Sequence, residues 1–465
     1  MSLIKKTARE VVAELQKGEV TPQDLLDALQ ARVAEVEPKV NALPTLCFDR
    51  AASRARDAKQ GLLAGLPVAI KDLSAVAGVR TTYGSLIYEN HVPDFSDHVV
   101  EKIEASGGLV YAKSNTPEFG AGASTFNEVF GRTRNPWNLS RSVAGSSGGS
   151  AAALVSGTAW LAHGSDMGGS LRNPASFCGC VGLRPSAGRV PGGPSANEFD
   201  VLGMQGPMAR NVGDLGLFLD AMSGPDHREP HAQPGNGFRS AAEAPRVPKR
   251  VAWSADLGGV TLVDPVVRRV TEAAAKRFEA LGAVVEEACP DYSGTHEAFQ
   301  TLRALAFATG HDSHIRNHKD KLKPDVVWNI EKAYDLTGSD VVRANAIRNR
   351  MTQSHAEFFE TYDLLLTPAT IVQPYAVEDR TVMSCDGVEF ETYIDWLAIA
   401  FAVTLTSAPA MSLPCGFTDD GLPVGLQMVG PLRGEEPLLS YAAALEAELA
   451  LDLGPIDPRE GPPPA

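Results

Sequence analysis

Between residues 141 and 185 the chain reads R-S-V-A-G-S-S-G-G-S-A-A-A and then H-G-S-D-M-G-G-S-L-R-N-P-A-S-F-C-G-C-V-G-L-R-P. No other stretch limits the possible folds as strongly. Glycine permits positive φ and close backbone approach, so two Gly-Gly steps, each beside a serine, predict backbone N–H groups and hydroxyls converging on one small site. The rest of the 465 residues, 44% of the chain being hydrophobic, can bury a large core around it.

Up to about Gln60 the sequence reads as helices. Thr21 and Pro22 open one of them, and Leu25, Leu26, Leu29 and Val33 fall on one face. Residues 68–70 form a short buried strand that runs straight into Lys71 and Asp72, an unusual place for a lysine. A helix over 97–105, stopped by Gly107-Gly108, precedes the strand L-V-Y-A, which leads to Lys113 and Asn115. Residues 120–139 read as loop, 150–155 as a tightly packed helix, and 160–163 as a strand delivering Ser165 and Asp166. V-G-D-L-G-L-F-L-D-A-M, which ends by Gly224, reads as an amphipathic helix.

Residues 223–249, rich in Pro, Gly and charge, read as an exposed connection between a catalytic core at 61–222 and a second half at 250–465. That half restarts as a β-α-β unit: the strand V-A-W, a helix opened by Asp264-Pro265, and G-A-V-V. Helices fill 297–362, D-L-L-L-T-P-A is a buried strand, 392–404 an apolar helix, and Asp420-Gly421 a turn between two strands. Helices alternating with short apolar strands predict an α/β layered fold without a solenoid repeat. The G-P-P-P-A terminus is expected to fray.

Lys and Arg number 42 against 57 Asp and Glu, a net charge of −15, which argues against nucleic acid or an anionic membrane as a partner. Cys47, Cys178, Cys180, Cys289, Cys385 and Cys415 have no paired CxxC spacing and are expected to be free thiols. With no signal-peptide pattern in the first 20 residues and no apolar run of about 18 residues, a cytoplasmic protein is expected.

The chemistry concentrates on Lys71, Ser146 and Ser170. Ser170 follows Met167-Gly168-Gly169, and successive N–H groups from Met167 to Ser170 suit a nest for a developing oxyanion, with Ser170 as nucleophile. Serine needs a base, and none of the ten histidines is placed as a triad partner. Lys71 suits the task if burial brings its pKa from about 10.4 towards neutrality, with Ser146 or Ser147 relaying the proton. The ordinary alternative for Lys71 is an ion pair with its neighbour Asp72; Lys113 is assigned to structure.

His311, His314 and His318 share a helix face without the carboxylate or cysteine company of a metal site, so a polar face or a pocket wall is expected. Ser2-x-x-Lys5 and Gly145-Ser-Ser-Gly-Gly149 match catalytic motifs formally. The first sits at a terminus, and the second lacks the preceding strand of a nucleophile elbow, because N-P-W-N-L-S-R-S-V does not read as one. No phosphate-binding G-x-x-x-x-G-K-[ST] exists.

Taken in order, G-L-P-V-A-I-K-D, S-N-T-P-E-F, N-P-W, A-G-S-S-G-G-S-A-A-A, D-M-G-G-S-L-R-N-P-A-S-F-C-G-C-V-G-L-R-P, G-P-M-A-R-N-V-G-D-L and G-L-P-V-G-L-Q-M-V-G resemble the amidase signature family of serine hydrolases over nearly the whole chain. The resemblance implies a single domain over 1–465, with a large mixed central β-sheet covered by helices on both faces. It implies a Ser-cis-Ser-Lys triad in which Ser170 is the nucleophile, Ser146 carries the cis peptide bond and Lys71 is the base. Met167, Gly168, Gly169 and Ser170 then form the oxyanion hole, while Ser147, Asp166 and Arg172 support it. No cofactor or metal is implied, and the partner is a small-molecule amide, cleaved through an acyl-enzyme.

Where the family usually has Gly-Gly before the paired serines, this chain has Ala144-Gly145. Asn173 and the Cys178/Cys180 pair fall where members vary. Substrate-pocket residues are expected within 119–130, 194–202 and 297–405. A homodimer is the expected assembly. Two other roles fit the scaffold: the amidase subunit of a glutamine-dependent transfer-RNA amidotransferase, disfavoured by N-T-P-E-F where N-M-D-E-F is expected, and a non-catalytic binding protein.

Overall fold

The computed structural model describes residues 3–56, 58 and 60–461. Ser2 of the S-x-x-K match and the last four residues of the chain lie outside them. The architecture is a mixed sheet of eleven strands with helices packed around it. The strands, in chain order, are β1 (Thr45–Leu46), β2 (Pro67–Lys71), β3 (Leu109–Ser114), β4 (Leu161–Asp166), β5 (Val181–Arg184) and β6 (Met204–Ala209) from the first half. The second half adds β7 (Arg250–Trp253), β8 (Val284–Glu287), β9 (Leu364–Pro368), β10 (Ala410–Phe417) and β11 (Pro423–Val429). Their spatial order is β1-β3-β2-β4-β6-β5-β10-β11-β9-β7-β8.

β2 lies between β3 and β4 and is parallel to both, with Ala69 opposite Ala162 of β4. From β2 the chain passes to β3 on one side; from β4 it passes to β5 and β6 on the other. Adjacent parallel strands whose onward connections diverge leave a crevice at their carboxyl ends, where α/β proteins bind ligands. Lys71 ends β2 and Asp166 ends β4. All five residues of β2 are buried, as expected for a parallel strand covered on both faces, and this is why a lysine at its end stands out in the sequence.

The helix Pro22–Val40 starts as the sequence predicts. Thr21 accepts from Asp24 N–H at 3.2 Å, Asp24 accepts from Thr21 N–H at 2.8 Å, and Leu25, Leu26, Leu29 and Val33 are buried. The helix Gly148–Val155 is locked to β4 because Ser150 donates to His163 O at 2.8 Å. A side chain at Gly149 would strike Asn115 N and Ala42 O, so only glycine allows this approach.

Four expectations need correction. Residues 120–139 are not plain loop: Phe126–Asn127 pairs with Gly131–Arg132, and Arg134–Asn135 with Asn138–Ser142. The last of these strands lies within N-P-W-N-L-S-R-S-V, which therefore does contain a strand, although one outside the central sheet. Residues 223–249 are not wholly exposed, because the helix Phe238–Glu243 buries Phe238, Ala241 and Ala242. The helix Val212–Met222 is buried all round except Asp220, so it is a core helix and not an amphipathic one. The helix Glu435–Leu449 and strands β1, β5 and β6 went unpredicted.

Candidate active site

Three loops meet at the crevice. One follows β2, one carries Ser146 and Ser147 ahead of the helix Gly148–Val155, and one joins β4 to the helix Arg172–Cys178. The Lys71 side chain is fully buried, and its Nζ lies 2.7 Å from Ser146 Oγ, 2.9 Å from Ser147 Oγ and 3.0 Å from Ser165 Oγ. No carboxylate joins that set. Burial brings the Lys71 pKa down to about 7, against the opposing pull of the Asp166 charge.

The expected alternative for Lys71, an ion pair with Asp72, does not form. Asp72 pairs with Lys113 at 3.0 Å and accepts from Thr82 Oγ1 at 2.6 Å. Lys113 thus has the structural role assigned to it, and Lys71 is left to the serines. The Gly145–Ser146 peptide bond is cis. Ala144, where the family usually has glycine, takes a left-handed φ of 56°. Ser147 N–H donates to Ser170 O at 3.1 Å, and Ser147 Oγ donates to Ser165 O at 3.2 Å, so this serine ties all three loops together. It makes no side-chain cap to its own helix.

Ser170 is half-buried and opens, with Ser146, Met167 and Gly168, on a cavity of about 390 Å³. Ser146 and Ser147 are buried, whereas Ser165 and Ser170 are each partly exposed. The expected four-amide nest is incomplete: Gly169 N–H donates to Asp166 Oδ1 at 2.8 Å. Among the described residues, Met167, Gly168 and Ser170 N–H donate to no backbone carbonyl. Gly169 itself cannot be replaced. Its φ is +105°, and a Cβ there would lie 2.5 Å from Asn173 Oδ1 and 2.7 Å from Ala400 Cβ.

Asp166 organises this turn. It accepts from Leu171 N–H at 3.1 Å and from Arg172 through both Nε, at 3.0 Å, and Nη2, at 2.9 Å. Burial alone would raise its pKa, but Arg172, Arg184 and the Gly169 N–H hold the carboxyl well below the usual carboxylate range. Arg172 spends its remaining donors on Ala400 O at 2.8 Å, Gln427 Oε1 at 2.6 Å and Thr404 Oγ1 at 3.1 Å, anchoring the loop to the second half of the chain. Asp166→Ala removes the ion-pair partner of the buried Arg172 and Arg184, and we expect about 3–5 kcal/mol of lost stability in urea unfolding at pH 7.

The expected pocket segments all reach the cavity, through Phe119 and Ala123, through Asn197 and Glu198, and through Phe299, Arg303 and His311. His311 packs tilted against Phe119 with ring centroids 4.3 Å apart, and its Nδ1 lies 3.2 Å from His314 Nδ1. His314 Nε2 is 2.8 Å from Tyr88 Oη. Burial, with His314 alongside, lowers the His311 pKa to about 4. His318 ends the same helix. Among the described residues no group of three or more His, Cys, Asp or Glu is placed to hold a metal ion, and all six cysteines are free.

Sequence reasoning missed Ser165 and Arg184. Arg184 Nη1 donates to Asp166 O and, at 2.8 Å, to Leu202 O. It had the same signal as Lys71, a cation ending an apolar strand, V-G-L-R. Ser165 had none, because its approach to Lys71 depends on β2 and β4 being neighbours.

The family model described as Amidase matches residues 24–439. The chain belongs to the amidase signature family. It is 35% identical over 456 residues to an acylamidase of Rhodococcus erythropolis, covering 95% of each chain. It is 31% identical over 485 residues to a glutamyl-tRNA(Gln) amidotransferase subunit of Halothermothrix orenii, covering 97% of this chain and 98% of that one. A solved 6-aminohexanoate cyclic dimer hydrolase complexed with substrate superposes with a TM-score of 0.88 at 28% identity, covering 97% and 98% of the two chains. This amidase signature protein is therefore an amidase, an enzyme that hydrolyses carbon–nitrogen bonds of amides, on the mixed sheet typical of its family. Among the described residues no helix is long and apolar enough to cross a membrane.

Proposed function

We propose that the protein hydrolyses a small carboxylic amide through a Ser170 acyl-enzyme, with Lys71 as base and Ser146 as relay. The observation that carries this reading is the fully buried Lys71, 2.7 Å from Ser146 Oγ and with a pKa brought down to about 7. An ammonium only donates, whereas a neutral amine has a lone pair that accepts the Ser146 proton. Ser146 then takes the proton of Ser170 as that oxygen attacks the carbonyl carbon. The tetrahedral oxyanion is held by N–H groups of Met167, Gly168 and Ser170, with Gly169 committed to Asp166. The relay returns the proton to the leaving nitrogen as the C–N bond breaks. Water, deprotonated along the same path, cleaves the ester to the acid and restores Ser170.

Hydroxylamine tests the intermediate. Competing with water, it yields hydroxamate in a ratio to acid that stays constant for one acyl group across several leaving amines. A ratio that changes with the leaving amine would sink the acyl-enzyme.

The amidotransferase relatives support a second reading, in which the chain is the amidase component of a complex acting on glutamine. Co-purification of a partner protein, with glutaminase activity that depends on it, would favour this over a free-standing amidase. A cytoplasmic homodimer remains part of the main proposal, and light scattering on the eluting protein checks its mass.

A further inference from the structure

The Thr295–His318 helix lays Phe299, Arg303, Phe307 and His311, four residues apart, along the cavity. Phe299 marks the reacting end, since a Cβ built on Gly168 would lie 3.2 Å from its Cζ. Arg303 stands one turn further along, a rise of about 6 Å. Arg303 is buried, with 6% of its surface exposed, and its guanidinium is held in place on several sides. Carbon Cζ lies 4.6 Å from the Phe307 ring centroid and 5.7 Å from that of Tyr393, and Nη1 donates to Asn329 Oδ1. Asn329 cannot turn away, because its Nδ2 donates to Asp325 O at 2.6 Å and to Tyr393 Oη at 2.5 Å.

No carboxylate pairs with Arg303 among the described residues. Asp325 on the neighbouring helix is taken by Lys323 at 2.9 Å. The acids that the loop residues bring to the same cavity accept from backbone N–H groups. Glu198 accepts from Ser195 N–H, Asp200 from Leu202 N–H, and Glu229 from Gly192 and His231 N–H. A buried cation with only neutral partners is costly, and a rigid guanidinium is the side chain best suited to a carboxylate.

We propose that Arg303 is a specificity-determining residue, and that the preferred substrate carries a carboxylate on a short chain from the amide, seated against Arg303. This rests on the reading of the cavity as the amide site. The cavity lining thus holds a cation on the helix and acids on the loop, and the substrate's charge decides which of them it meets.

The test uses matched pairs of small amides. One set is the ω-carboxylated primary amides with a short methylene spacer, and a second is the N-acetyl ω-amino acids, which carry the carboxylate on the amine side. Each is compared with the methyl ketone that keeps its shape and loses its charge. We expect wild-type kcat/KM on one carboxylated amide to exceed that on its ketone by about 30-fold, chiefly through KM, as a charged hydrogen-bonded pair provides. Arg303→Gln should bring the ratio close to one, and Arg303→Lys should restore part of it.

A wild-type ratio near one across both sets overturns the inference, as does a parallel loss on both members of each pair in R303Q. Binding of the same pairs to Ser170→Ala, measured by calorimetry, separates this from the mechanism. Preference for the carboxylate there, lost when R303Q is added, supports the role of Arg303 even in a protein that turns over no amide. Equal binding of both members overturns it.

Discussion

Ser170→Ala should lower amide turnover by about 10⁴-fold or more and abolish covalent labelling by a fluorophosphonate, while the melting temperature stays near that of wild type. The size of the effect follows from removing the atom that forms the covalent bond, after which only oriented binding and the amide donors of the turn remain. The fold should tolerate the change because Ser170 is half-buried at the cavity wall, and its backbone carbonyl still accepts from Ser147 N–H. Retained turnover together with retained labelling would remove Ser170 from the mechanism. Labelling that moves to Ser165, which is partly exposed and whose hydroxyl lies 3.0 Å from Lys71 Nζ, would reassign the nucleophile.

The second large effect concerns Lys71. In wild-type protein, kcat/KM should rise tenfold per pH unit below about 7 and level off above it, because the neutral amine is the active form and its pKa lies at about 7. Lys71→Ala should cost about 10² to 10⁴-fold and flatten this limb. Stability has the matching sign. Between about 7 and the ordinary lysine value near 10.4 the unfolded chain holds a proton that the folded chain has lost, so stability falls as the pH drops through that window and changes no further below it. A limb that persists in Lys71→Ala would assign the titration to another group. His311, brought to about 4, lies too low to replace it.

Much of the site is legible in the amino-acid order. Lys71 announces itself as a charge at the end of an otherwise apolar strand, and the glycines around Ser146 and Ser170 mark places where backbones approach too closely for a side chain. Local pattern fails where burial is decided by neighbours. The Val212–Met222 helix reads as two-sided but is enclosed on nearly every side, and the Pro- and Gly-rich segment after it hides a helix that covers the core. Short strands such as Thr45–Leu46 have too few residues for any periodicity to register.

The division at the site follows the same physics. Sequence alone determined which residue types were present and in what order: a lysine, two serine-glycine blocks and an α/β pattern to carry them. Tertiary structure decided which partners they have. Asp72 neutralises Lys113, which spares Lys71, and Asp166 claims the Gly169 amide. Arg303 donates to a neutral amide, Asn329, and lines an open cavity. Each outcome depends on distances of a few ångströms between residues that lie on different elements, most of them tens of positions apart. Coulomb and hydrogen-bond energies act over those distances in space, and the order of residues along the chain does not contain them.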